Sequence, residues 1–216
     1  MYKVDYSLIY VTDDSITNDT AFFKILEDAL KGGASIIQLR EKSCSTISFY
    51  NRALKSKALC HTYRVPLIIN DRIDIALAVE ADGVHLGQTD IPYNKARELL
   101  GATKIIRLSV STSEQAIEAE NLKVDYIGIS PIFNTSTKKL DLAFPLGIEG
   151  LQIIRPLFSK PIVCIGGIQT NNVANIIKNG SNGIAVISAI SKAAFPEKET
   201  KKLKEIQSRE TSNTNK

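Results

Sequence analysis

Eight times along this chain, a short apolar run rich in β-branched residues gives way to a longer stretch with helical spacing. That alternation constrains the fold more than any other feature. Short runs that are apolar at nearly every position suit strands covered on both faces, the habit of parallel sheets flanked by helices. Strands are expected at Ser7–Thr12, from Ile36, and at Val65–Asn70, Asp82–Leu86, Lys104–Ser109, Val124–Ser130, Pro161–Ile165 and Ile184–Ile187. Between them, Thr20–Lys31 places Phe22, Phe23, Leu26, Ala29 and Leu30 at helical intervals and stops at Gly32-Gly33. Further helices are expected at Thr46–His61, Ile73–Val79, from Pro92, and at Glu114–Leu122, Leu151–Phe158, Asn171–Lys178 and Glu197–Gln207. Eight strand–helix units predict an α/β chain folded as a single (β/α)8 TIM barrel over residues 1–208. Residues 209–216 read as a polar, disordered tail. An open doubly wound sheet is the alternative. Its dinucleotide fingerprint is missing, because the turn after the first strand reads Thr12-Asp13-Asp14-Ser15.

Bulk properties narrow the function classes. With 216 residues, 44% of them hydrophobic and 23% charged, the chain can build one sizeable core. No apolar run approaches the roughly 18 residues of a membrane span, and the amino terminus lacks a secretory layout, so a cytoplasmic protein is expected. Cys44, Cys60 and Cys164 are odd in number and outside any metal-ligand spacing, which suits free thiols. His61 and His85 cannot make a zinc site alone. The net charge of +4 is concentrated at the end, where Lys192–Lys216 holds seven Lys/Arg against four Glu. A folded body near neutrality argues against nucleic acid as a partner. Small molecules are the expected partners, with no membrane and with room for a homo-oligomer.

A barrel builds its site at the carboxyl ends of its strands. Gln38, Arg40 and Lys42 alternate out of the second strand, and period-2 geometry sends them to one side if the strand persists. An amide and two cations suit an anion with several oxygens, such as a diphosphate; a solvated strand end is the bland alternative. Asn70 and Asp71 leave strand three, Asp90 follows strand four, and Ser109 ends strand five. Asp71 and Asp90 form either ion pairs with the nearby cations or a magnesium site bridging to substrate phosphate. Thr135, Thr137 and Lys138 lie on the polar loop after strand six. Gly166-Gly167 after strand seven, with Ser188 after strand eight, match a phosphate site made by backbone N–H groups; a Gly pair that only makes a tight turn is the alternative. His85 reads as a core histidine near the rim, and no nucleophile–base pair is evident.

Five motifs in order carry a family resemblance: Gln38-Leu39-Arg40-Glu41-Lys42, Leu67-Ile68-Ile69-Asn70-Asp71, Gly83-Val84-His85-Leu86-Gly87-Gln88-Thr89-Asp90, Thr135-Ser136-Thr137-Lys138 and Ile165-Gly166-Gly167-Ile168. With these the sequence resembles the thiamine-phosphate synthase family from its first strand to its eighth. The resemblance implies a transferase that joins a hydroxymethylpyrimidine diphosphate to a thiazole phosphate, assisted by one Mg²⁺ per subunit. It implies that Gln38, Leu39, Arg40, Glu41, Lys42, Asn70, Ser109 and Lys138 hold the pyrimidine diphosphate, with Arg40 and Lys138 acting on its leaving group. Asp71 and Asp90 would hold the metal. Thr135, Ser136, Thr137, Gly167, Ile187 and Ser188 would hold the thiazole phosphate. Three positions depart from the family pattern: Arg107 where a Gly is usual, Ser111 for a His, and Asn134 for a Pro. Arg107 either crowds the fifth strand end or points outward. Two rival functions share the resemblance: a thiazole tautomerase-like paralogue, which has no use for the diphosphate and metal residues, and a non-catalytic binder of a thiamine precursor.

Overall fold

The computed structural model describes residues 4–135 and 144–214. Eight strands close into one parallel barrel in sequence order. They are β1 (Leu8–Val11), β2 (Ile36–Leu39), β3 (Leu67–Asn70), β4 (Gly83–Leu86), β5 (Ile105–Val110), β6 (Tyr126–Ile129), β7 (Ile162–Ile165) and β8 (Gly183–Val186). The helices are α1 (Asp19–Lys31), α2 (Thr46–Tyr63), α3 (Ile73–Ala78), α4 (Tyr93–Leu100), α5 (Ser113–Leu122), α6 (Gly147–Ile154), α7 (Val173–Lys178), α8 (Ser188–Ser191) and α9 (Pro196–Thr214). Closure joins β8 to β1 with Ile9 opposite Ala185.

Alternation along each strand divides the apolar residues into two cores. One face packs outward against the helices, as Leu8, Ile37, Leu39, Leu67, Ile69, Leu86 and Ile106 do. The other fills the barrel with Ile9, Val11, Ile36, Ile68, Tyr126, Val163, Ile165 and Ala185. Continuing the same alternation upward brings Gln38 above Ile36, Asn70 above Ile68, and Arg107 above Ile105. The upper interior is therefore polar, where branched aliphatic side chains are usual.

Local signals set most boundaries. Asn18, Ser45 and Thr112 cap α1, α2 and α5 by accepting backbone N–H groups. Pro156 cannot continue a helix, so α6 stops at Ile154, runs into a short 3₁₀ turn, and starts earlier than its apolar spacing suggested. α8 was not legible from sequence, being a single turn directly after β8.

The expected carboxyl-terminal tail needs correcting. Helix α9 continues to Thr214, through residues assigned to a disordered segment. It packs on α1 and α7 with Thr200, Leu203, Gln207 and Glu210 buried. The interface is partly polar, which is why an apolar pattern could not reveal it. Gln207 donates to the Asn182 carbonyl at 3.2 Å, and Glu210 pairs with Arg209 at 3.1 Å and Lys178 at 3.6 Å. Among the described residues, no helix is long and apolar enough to cross a membrane.

Candidate active site

The barrel mouth has two unlike halves. On the β2–β4 side, polar side chains converge. β2 ends at Leu39, so the alternation expected through Lys42 does not continue. Instead, the chain past β2 is held to β1: the Arg40 N–H donates to Thr12 Oγ1 at 2.9 Å. Arg40 and Lys42 then diverge towards opposite neighbours. Arg40 pairs with Asp14 beyond β1 at 2.7 Å, and Lys42 donates to Asp71 beyond β3 at 2.5 Å. The other two residues of the motif turn away from the mouth. Leu39 is fully buried in the strand–helix layer. Glu41 pairs at 2.6 Å with Arg52 of α2, which also holds Asp19 and lies over the Phe22 ring. The side chains of Leu39 and Glu41 therefore anchor the loop to the outer layer, and only their backbone is available to a ligand.

Asp71 sits in a left-handed conformation (φ 63°), with its N–H donating to the His85 carbonyl at 2.8 Å. Its carboxylate faces that of Asp90, whose Oδ2 accepts the Gly87 N–H at 2.7 Å. Burial raises the Asp90 pKa above the ordinary carboxylate value, and the Asp71 charge adds to the rise. Two carboxylates in contact, with Lys42 on one of them, leave a surplus of negative charge at this edge. Among the described residues, no three His, Cys, Asp or Glu side chains gather into a metal cluster.

Beneath these charges lies a buried chain of amides. Gln38 Nε2 donates to Asn70 Oδ1 at 2.7 Å, and Arg107 Nη1 donates to Gln38 Oε1 at 2.8 Å. Arg107 thus neither points outward nor crowds the rim: it fills the barrel interior at 1% exposure, over the Tyr126 ring. A Cβ on Gly128 would overlap its guanidinium, so glycine on β6 makes room for arginine on β5. Burial pulls the Arg107 pKa down and pushes the Tyr126 hydroxyl up to about 12. Beside them Ser109 Oγ and His85 Nε2 are 2.9 Å apart, which gives His85 the partner expected of a core histidine.

The β6–β8 side carries glycines with small and apolar residues instead. Thr135, Gly166, Gly167, Ile187 and Ser188, with Ser130 and Ile165, line a small open cleft. Gly167 has φ 65°, and a Cβ there would lie 2.6 Å from the Asn134 carbonyl. Glycine is thus demanded by a left-handed turn packed under the β6 loop. Ser188 opens α8, and Ser191 of α8 donates to Asp13 at 2.8 Å, tying β8 back to β1. Four of the six residues expected at the thiazole phosphate meet here; Ser136 and Thr137 lie outside the described residues, as does Lys138.

Sequence reasoning missed Asp14 and Thr12, for which no local signal exists. It left Arg107 open, although Ile105, Arg107 and Ser109 share one strand face and the two flanking positions could have placed it.

A family model described as thiamine monophosphate synthase matches residues 8–190, the whole barrel from β1 into α8. The chain belongs to that family. Within it, the chain is 49% identical over 193 residues to the thiamine-phosphate synthase of Clostridium acetobutylicum, covering 89% of this chain and 90% of that one. It is 46% identical over 189 residues to the thiamine-phosphate synthase of Alkaliphilus oremlandii, covering 88% and 90%. Among solved structures, the thiamine phosphate pyrophosphorylase of Pyrococcus furiosus superposes with a TM-score of 0.86 at 35% identity, covering 96% of this chain and 98% of that one. The family match thus runs through every strand that contributes to the mouth.

Proposed function

We propose that this family member is a transferase that condenses 4-amino-2-methyl-5-hydroxymethylpyrimidine diphosphate with 4-methyl-5-(2-phosphoethyl)thiazole, or with its carboxylated form with release of CO2, to give thiamine phosphate and pyrophosphate. The observation that carries the reading is the division of one mouth into two anion-handling halves. A charged half suits a diphosphate, and a glycine-lined half suits a single phosphate facing it.

In the reaction the thiazole nitrogen forms a bond to the pyrimidine methylene carbon, and the carbon–oxygen bond to diphosphate breaks with its electron pair leaving on pyrophosphate. The nitrogen lone pair is already available, so no general base is required, consistent with His85 being engaged by Ser109. The chain's task is to stabilise charge on the leaving group. Arg40 offers the guanidinium nitrogens that Asp14 does not occupy, and Lys42 exchanges Asp71 for a phosphate oxygen. Lys138 is assigned to the same leaving group. Asp71 and Asp90 fit Mg²⁺, because a hard cation that keeps waters and phosphate oxygens needs only one or two carboxylates. When bound, the cation neutralises charge developing on the departing diphosphate. Thr135, Gly167, Ile187 and Ser188 orient the thiazole phosphate across the mouth.

The test is to mix both precursors with Mg²⁺ and protein and follow pyrophosphate and thiamine phosphate by mass. Both products should appear together. Binding of either precursor without release of pyrophosphate would overturn the reading in favour of a silent binder.

A further inference from the structure

The arginine inside the barrel has no role in the chemistry above. Arg107 is flanked in register by His85 on β4 and Tyr126 on β6. Among the described residues no carboxylate pairs with it, and its Nε has no hydrogen-bond partner. Burying a charge without a counter-ion is costly. A residue serving only to fill space would be aliphatic, as its neighbours Ile9, Ile36 and Ile68 are. The polarity of Arg107 therefore needs a purpose, and the hydrogen bonds supply one.

A guanidinium only donates. Whatever faces it must accept, so Gln38 turns Oε1 towards Arg107 and Nε2 away from it. That Nε2 then donates to Asn70 Oδ1. With its oxygen turned towards Gln38, Asn70 presents its Nδ2 donor on the other side of its amide. Asn70 is the last residue of β3, directly before the Asp71 carboxylate that faces Asp90. Without a donor-only group at position 107, the two amides could flip together. Asn70 would then show the substrate an acceptor instead.

We propose that Arg107 is a positioning residue for the pyrimidine diphosphate, fixing the direction of the Gln38–Asn70 amide chain so that Asn70 meets that substrate as a hydrogen-bond donor. This rests on the functional reading above. The matching group on the ligand is an acceptor, either a pyrimidine ring nitrogen or a phosphate oxygen.

Three variants test it by calorimetric binding of the pyrimidine diphosphate and by the two KM values. Arg107→Met removes the donor, and the pyrimidine diphosphate should bind roughly 3- to 10-fold more weakly with the thiazole phosphate KM unmoved. Arg107→Lys is also donor-only and should recover most of that loss. Gln38→Glu keeps Arg107 satisfied with a carboxylate but compels Asn70 to donate inward, turning its oxygen to the substrate. It should fold at least as well as wild type yet lose roughly 10-fold or more in pyrimidine diphosphate binding. Competition with inorganic pyrophosphate separates the two acceptors: weaker inhibition in Arg107→Met assigns Asn70 to a phosphate oxygen, and unchanged inhibition to the pyrimidine ring. If folded Met and Lys variants bind alike, or if Gln38→Glu binds as wild type does, Arg107 acts by packing alone and the inference falls. Should Arg107→Met fail to fold, Arg107→Gln, which can accept as well as donate and so no longer fixes the amide direction, takes its place and should show the same loss. Wild-type protein that does not bind the pyrimidine diphosphate overturns the functional reading and this inference together.

Discussion

Across the barrel mouth, the β2–β4 half and the β6–β8 half are built by different means. The first uses side chains: Arg40 against Asp14, Lys42 against Asp71, and Asp71 against Asp90. The second is lined by Gly166, Gly167 and Ser188, the glycines in left-handed turns and the serine opening a short helix. Side-chain charges can exchange partners when a ligand arrives, so that half can respond to binding. A glycine-lined cleft is pre-organised and altered only by changing conformation. A variant in the first half should therefore change chemistry more than stability, and one in the second should change both.

The largest expected effect is in the charged half. Asp71→Asn removes the partner of Lys42 and one of the two facing carboxylates. Turnover should fall by about two orders of magnitude or more, with a weaker Mg²⁺ titration and little change in melting temperature. An unchanged Mg²⁺ titration would reduce Asp71 to a structural partner of Lys42.

Gly167→Ala probes the glycine-lined half. The new Cβ meets the Asn134 carbonyl at 2.6 Å in a backbone region that disfavours side chains. Denaturation should show a loss of about 1–3 kcal/mol, together with a raised KM for the thiazole phosphate. A raised KM for the pyrimidine diphosphate instead would mean that the halves are not separate.

A smaller effect, opposite in sign, is expected at Asp90. Its folded pKa is raised, first by burial, so the folded state holds its proton more tightly than the unfolded chain does. Stability from this group is then present at acid pH and is lost as pH climbs from the ordinary carboxylate range through the raised value. Asp90→Asn should remove that penalty: the melting temperature at neutral pH should rise, while turnover drops. Melting scans from pH 3 to pH 7 should show a flatter profile in the variant, and an identical profile would refute the assignment.

The smallest effect belongs to the far end of the molecule. Deleting residues 211–216 removes the last exposed turn of α9 but spares buried Gln207 and Glu210. Stability should change by less than about 1 kcal/mol, and neither KM should move. A shift in only one KM would link α9 to one half of the mouth.

Part of the site was readable in advance because polar residues at the ends of apolar strands are conspicuous. Asp71, Asp90 and Lys42 do meet, and Thr135, Gly167, Ile187 and Ser188 share a cleft. What was not readable is where neighbouring side chains inside one motif point. Glu41 and Lys42 are adjacent in sequence, yet one is pinned under Arg52 of α2 and the other reaches Asp71. The partly polar underside of α9 was equally hidden, since Thr200, Gln207 and Glu210 give no amphipathic signal.

Alone, the sequence determined the number, order and type of the elements up to the short helix α8, because strand and helix periods are local properties of the chain. It thereby determined a barrel and the rim on which the polar side chains gather. Only the tertiary structure decided that Arg107 enters the core, that Gly128 yields the space for it, and that Gln38 and Asn70 are oriented as a consequence. These groups come from four different strands. Their hydrogen bonds exist only once closure brings those strands around a common interior, so no stretch of sequence contains them.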